Sequence, residues 1–169
     1  MIFDMKKLLI TLLMVLSLGT AAWAGQRTQS PQLRSLVSSY KGTEGFEVVD
    51  FGGVALGLLR AAARTAVETE EDRRALELFR GIKRLTVVDF SEAPDHARES
   101  FLRKTKRILA DGEMLMEAKD SGETIRIYGN SSKDGNILED IVILAEDALL
   151  IVRGTIRVDQ IEALMNQVD

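Results

Sequence analysis

The chain has 169 residues, 46% of them apolar, with 22 basic and 26 acidic side chains and no cysteine. A chain of this length and composition can bury a core, removing roughly two-thirds of its unfolded surface, which excludes disorder as the default state. The acidic balance argues against nucleic acid as the main partner, because such binding draws on excess positive charge, and the missing cysteine excludes disulfides and thiolate metal sites.

Lys6 and Lys7 precede an apolar run from Leu8 to Leu16, and Ala22-Trp23-Ala24 supplies a small-x-small pattern ahead of Gly25. This is the layout of a secretory signal peptide over residues 1–24, leaving a single domain over 25–169. A retained membrane anchor is the alternative, but the run is well short of the roughly 20 residues a bilayer crossing needs. Removing Asp4, Lys6 and Lys7 leaves 20 basic and 25 acidic residues, a net charge of −5 with His96 neutral. The expected product is periplasmic or secreted, without stable membrane insertion, and lacks the acylated cysteine of a lipoprotein.

Ser30-Pro31 reads as a helix start, with serine at the N-cap and proline at the first helical position. Leu33, Leu36, Val37 and Tyr40 follow at helical spacing, and Gly42 ends the pattern. Phe46, Val48 and Asp50 alternate with Glu47, Val49 and Phe51 in a strand closed by Gly52-Gly53. From Val54 to Val67 the run is Ala- and Leu-rich around much of the helix circumference, which predicts a buried helix. An interfacial membrane helix would need a sharply charged face, which this run lacks. Thr69 is placed to cap another helix, with Glu70, Glu71 and Asp72 in its first turn and Leu76, Phe79 and Ile82 as its buried stripe. Leu85 to Phe90 reads as a strand. Ser91 then caps a helix through Pro94 to Leu109, whose apolar stripe is Ala97, Phe101, Thr105 and Ile108 and whose other side carries Arg98, Arg103, Lys104, Lys106 and Arg107.

Four β-type segments fill Glu113 to Ile156. Met114, Met116 and Ala118 alternate with Leu115, Glu117 and Lys119, and Ile125, Ile127 and Gly129 with Thr124, Arg126 and Tyr128, the period of half-buried strands. Turns at Asp120-Ser121-Gly122, Ser132-Lys133-Asp134-Gly135 and Glu146-Asp147 make an antiparallel meander. Ile141 to Leu144 and Leu149 to Val152 are apolar on both faces, which places them centrally. Gly154 shares a strand face with Leu150, Val152 and Ile156, the face on which Ile161 and Leu164 of the last helix are expected to pack, so a close approach or a bulge is expected there. Asp159 and Glu162 resemble a capping box opening a last helix, and its face of Ile161, Leu164, Met165 and Val168 is expected to dock on the sheet. The expected architecture is α+β: a mainly antiparallel sheet of about six strands, with a C-terminal four-strand meander and helices packed chiefly on one face.

Chemistry-bearing patterns are sparse. The only histidine, His96, stands beside Asp95 in a first helical turn, where a solvated neighbour pair is the ordinary reading. Zinc hydrolysis lacks its ligands, and Gly52-Gly53 fits neither phosphate-loop nor dinucleotide fingerprints. The acidic group Glu68, Glu70, Glu71 and Asp72 has no glycine-permitted turn of the kind hard-cation loops use. No cofactor is expected. A hydrolase using an unrecognised carboxylate pair stays open as the rival function, since such a pair leaves no local motif. The leading expectation is a non-enzymatic envelope protein whose basic face (Arg98, Arg103, Lys104, Lys106, Arg107) meets an acidic protein or an anionic envelope polymer.

The run Glu113-Met114-Leu115-Met116-Glu117-Ala118-Lys119-Asp120-Ser121-Gly122-Glu123-Thr124-Ile125-Arg126-Ile127-Tyr128 carries a Lys-Asp-x-Gly hairpin. Together with Val152-Arg153-Gly154-Thr155-Ile156 ahead of Asp159-Gln160-Ile161, a strand-Gly-helix junction, it resembles the domain of unknown function numbered 4252. The resemblance implies small exported proteins of the Bacteroides group, many of them lipoproteins, from which this chain departs by lacking the lipid-bearing cysteine. It also implies an envelope-stress accessory protein beside a sigma-factor system as a further alternative. It implies no catalytic residues.

Overall fold

In a computed structural model, residues 31–65, 73, 77, 80–120 and 123–159 are described. The elements in order are α1 (Pro31–Tyr40), β1 (Glu47–Phe51), α2 (Gly53–Thr65), β2 (Ile82–Asp89), α3 (Asp95–Leu109), β3 (Met114–Asp120), β4 (Glu123–Ser131), β5 (Ile137–Leu144) and β6 (Ala148–Arg157). The strands form one six-stranded sheet in the order β1-β2-β6-β5-β4-β3, antiparallel at every pairing. The protein is therefore α+β with a C-terminal meander, as its alternation and turn chemistry dictate. The expected leader, the cap at Ser30, the helix stripe at Leu76 and Phe79, and the closing helix face from Ile161 onward lie outside the described residues. No helix among the described residues is long and apolar enough to cross a membrane.

The sheet is apolar on both faces. On one, Leu33 and Val37 of α1 and Phe101 and Leu109 of α3 pack over Val88, Tyr128, Val142, Leu144, Leu149 and Ile151. On the other, Leu56 of α2 joins Ile82, Ile127, Ile141, Leu150, Val152 and Ile156. The continuous apolar runs of β5 and β6 thus feed two cores at once, alternate residues going to opposite sides.

Four aromatic rings tie α1 and α3 to the sheet. Tyr40 lies 4.7 Å from Phe46 and 5.0 Å from Phe101, and Phe101 lies 5.0 Å from Phe90. These are tilted and edge-on arrangements, which ring quadrupoles favour over flat stacking. The serine expected to cap α3 does something else: the Ser91 N–H and hydroxyl both donate to Asp89 Oδ1, at 2.9 and 2.7 Å. Pro94 takes the N-cap position with ψ 142°, since proline is tolerated at a helix start and its absent N–H costs nothing there.

Three further expectations are corrected. Ile82 opens β2 instead of closing a helix stripe, and it is buried on the second face. The helix α2 is not enclosed: Leu56 is buried, whereas Val54 is 83% and Leu58 68% exposed. It starts directly at the end of β1, through a Leu56 N–H bond to Gly52 O at 2.9 Å, so it lies along β1 and β2 at the sheet's margin and presents only one side to them. In β3 a register shift between Met114 and Met116 brings Leu115 and Met116 together onto the second core and leaves Met114 exposed, which breaks the simple alternation.

That shift belongs to a row. The β2–β6 pairing slips between Ile82 and Arg84, the β5–β6 pairing between Glu139 and Ile141, and the β4–β5 pairing between Tyr128 and Asn130. At its centre Gly154 has φ +131°, and a Cβ there would sit 2.1 Å from Gly81 O. The close approach at Gly154 is made by the backbone ahead of β2, whereas the expected packing of Ile161 and Leu164 over it lies outside the described residues. The Thr155 N–H donates to Gly81 O at 3.0 Å across the same gap. Gly154→Val is expected to lower the chemical-denaturation midpoint by an amount worth on the order of 1–3 kcal/mol, since both backbone strain and overpacking act against it. An unchanged midpoint would contradict this geometry.

A second prediction concerns Thr105, fully buried in α3, whose hydroxyl meets no hydrogen-bond partner. A buried hydroxyl without a partner is costly, and valine matches threonine in shape and helix propensity. Thr105→Val is expected to stabilise by about 1 kcal/mol, read from the denaturation midpoint.

Candidate functional site

The basic face expected from the sequence is divided by the structure. Arg98 is half-buried and donates to Asp95 Oδ1 at 2.5 Å, an i,i+3 pair within the first turn of α3. That bond also engages the carboxylate neighbouring His96, and the His96 ring itself is exposed. Arg103, Lys104, Lys106 and Arg107 are exposed. Lys106 and Arg107 occupy the last turn, where positive charge also offsets the negative end of the helix dipole.

Lys104 has a fixed position. Its Nζ donates to the Tyr40 hydroxyl at 3.3 Å and stands 5.4 Å from the centre of that ring, an arrangement worth roughly 0.5–1 kcal/mol at an exposed site. Because Tyr40 is the last residue of α1, this contact locks the two helices together at the surface. Beside it runs an open groove of about 600 Å³ between α1 and α3. Pro31, Leu36 and Ile108 form its apolar lining, Ser35 and Ser39 its hydroxyl rim, and Lys104 and Arg107 its charged wall. Two of the five expected residues therefore meet in one concavity, and the partner half of that concavity, α1, carries no charge signal in the sequence that would have revealed it.

A second concavity was not foreseen. Where the register shifts cross the sheet, a cleft of about 540 Å³ opens. β2 contributes Lys83 and Arg84, β6 contributes Arg153 and Thr155, β5 contributes Glu139 and Asp140, and β4 contributes Asn130. Arg84 is held by Asp50, Nε to Oδ1 at 3.2 Å. Asp140 has φ 50°, the only non-glycine positive φ among the described residues, in a region that aspartate visits more readily than most residues. The signal for this cleft in the sequence is slight: Gly154 alone hints at an irregular strand. Among the described residues no group of three or more carboxylate or histidine side chains is placed to hold a metal ion.

The family model described as Domain of unknown function (DUF4252) matches residues 40–164. The chain belongs to this family. The matched span contains α2, α3 and all six strands, so the cleft is built wholly from family sequence. The groove is not, because α1 precedes the span except for Tyr40. No curated protein and no solved structure matches the chain.

Proposed function

We propose that this DUF4252 protein is an exported, non-enzymatic binding module that captures an acidic, amphipathic protein segment in the groove between α1 and α3. The observation that carries the reading is the pairing, in one concavity, of an apolar floor with the cationic wall of Lys104 and Arg107. An apolar floor favours a protein segment over an anionic polysaccharide, because a uniformly polar chain gains nothing by covering Leu36 and Ile108. A helix with acidic and apolar stripes can satisfy both surfaces together. Export is supported by the charged start, the apolar run and the small-x-small pattern of residues 1–24; intact mass of the protein from a cell envelope fraction is expected to correspond to a chain beginning at Gly25, and a retained leader would refute it.

The groove is tested with Arg107→Glu, leaving Lys104 on Tyr40. A synthetic helical peptide with Glu on one face and Leu on the other is the probe, measured at low salt where exposed charges act most strongly. The Arg107→Glu variant is expected to bind it at least tenfold more weakly with an unchanged circular dichroism spectrum and a midpoint lowered only by the lost helix-dipole contact, about 0.3–1 kcal/mol. Equal binding by the variant would overturn the proposal, as would polygalacturonate binding as tightly as the peptide.

A further inference from the structure

We propose that the cleft along the row of register shifts is a second binding site, independent of the groove, for a short zwitterionic peptide. Its charges are segregated by strand. Lys83 lies on β2 and Arg153 on β6, whereas Glu139 and Asp140 lie together on β5. The sheet order β2-β6-β5 therefore sets a positive side against a negative side in one cavity. Neither Lys83 nor Arg153 makes an ion pair with Glu139 or Asp140, although other charged neighbours on this surface do pair, Arg84 with Asp50 and Arg157 with Asp159. Two cations and two carboxylates left to face a shared space sum to no net charge. A simple anion or a simple cation thus gains attraction from one side and repulsion from the other. A ligand with both poles gains from each.

The dimensions select the ligand. Strands β2 and β5 are two spacings apart, about 10 Å at roughly 4.8 Å per spacing, and side chains extending inward shorten that span. An extended dipeptide or tripeptide places its ammonium and carboxylate some 6–10 Å apart at about 3.3–3.6 Å per residue. A single amino acid is too short to reach from Lys83 on β2 to the carboxylates of β5, a span that passes over β6. The volume of about 540 Å³ lies within the range of ordinary small-ligand sites. The hydroxyl of Thr155 lies in the same lining and supplies a neutral group for the peptide link.

The strained backbone is a separate observation pointing the same way. Asp140 keeps a positive φ of 50° where β5 slips against β6, opposite the Arg153-Gly154 step. Backbone in sparsely populated conformations persists where the surroundings over-determine it, and such positions gather at binding sites. In this cleft the strain sets a carboxylate-bearing residue directly across from the cationic strand.

The test is an amide-resonance titration of the folded protein with triglycine, and with acetate and methylammonium as single-pole controls. Triglycine is expected to shift the resonances of Asn130, Glu139, Asp140, Arg153 and Thr155 saturably, while either control alone leaves them unmoved at the same concentration. Lys83→Gln and Asp140→Asn are each expected to weaken triglycine at least tenfold; asparagine tolerates the left-handed conformation, so the second variant keeps the bulge. The proposal is overturned if triglycine produces no saturable shift, if acetate or methylammonium matches it, or if both variants, shown folded by their spectra, bind it as the parent does.

Discussion

The close backbone approach between the start of β2 and the end of β6 is the constraint around which this sheet is shaped. Gly154 pairs with Ile82 and the Thr155 N–H donates to Gly81 O, and neither glycine has room for a Cβ: one on Gly154 would sit 2.1 Å from Gly81 O and one on Gly81 1.9 Å from Thr155 O. The chain answers by slipping register, and each neighbouring strand slips in turn, through Asp140 in β5, Gly129 in β4 and Leu115 in β3. A bulge adds a residue to one strand, bends it and increases its twist. Repeated across successive strands, it separates a part of the sheet roofed by α1 and α3 from a part where polar side chains stand uncovered around a cleft.

The roofed part depends on aromatic contact. Tyr40, Phe46, Phe90 and Phe101 come from α1, the approach to β1, the exit of β2 and α3, so one cluster ties together segments that are distant along the chain. Its outer edge is Tyr40, and there Lys104 seals the junction from outside. The same lysine forms part of the groove wall, so one side chain both borders the groove and adds to the attachment of α3 to α1 that the Tyr40–Phe101 contact provides. Charge presented from such a fixed position loses less side-chain freedom on meeting a partner than the unattached side chains of Arg103 and Lys106 would.

Much of this was legible beforehand, and the failures have specific causes. Strand alternation, the three hairpin turns and the doubly apolar β5 and β6 follow from local periodicity, so the sheet and its meander could be read directly. Ser91 misled because Asp89, two residues earlier, outcompetes the helix for its hydrogen bonds, a choice between neighbours that composition does not reveal. The apolar run of α2 implied burial, but the amount a helix buries depends on where the preceding strand ends at the sheet. Arg98 looked like part of a charged face until Asp95, one turn away, proved to hold it. The cleft was illegible for a deeper reason: it arises from pairing offsets between strands as far apart as Ile82 and Gly154, and no single segment carries the information. Only Gly154 left a mark, whereas Gly81 falls within the helix whose expected stripe is Leu76, Phe79 and Ile82.

The strand order has a consequence for how the molecule assembles. Strands β3 to β6 pair with their sequence neighbours through short turns, so each ladder closes a small loop, which is fast. Strand β2 must wait for β6, from which most of the chain's middle separates it, and until then its inner edge has no partner except β1 on the far side. During synthesis β2 emerges long before β6 exists. An unpaired apolar edge of that kind invites pairing with other chains, and the charged pair Lys83 and Arg84 at its exposed start is the kind of edge charge that discourages it.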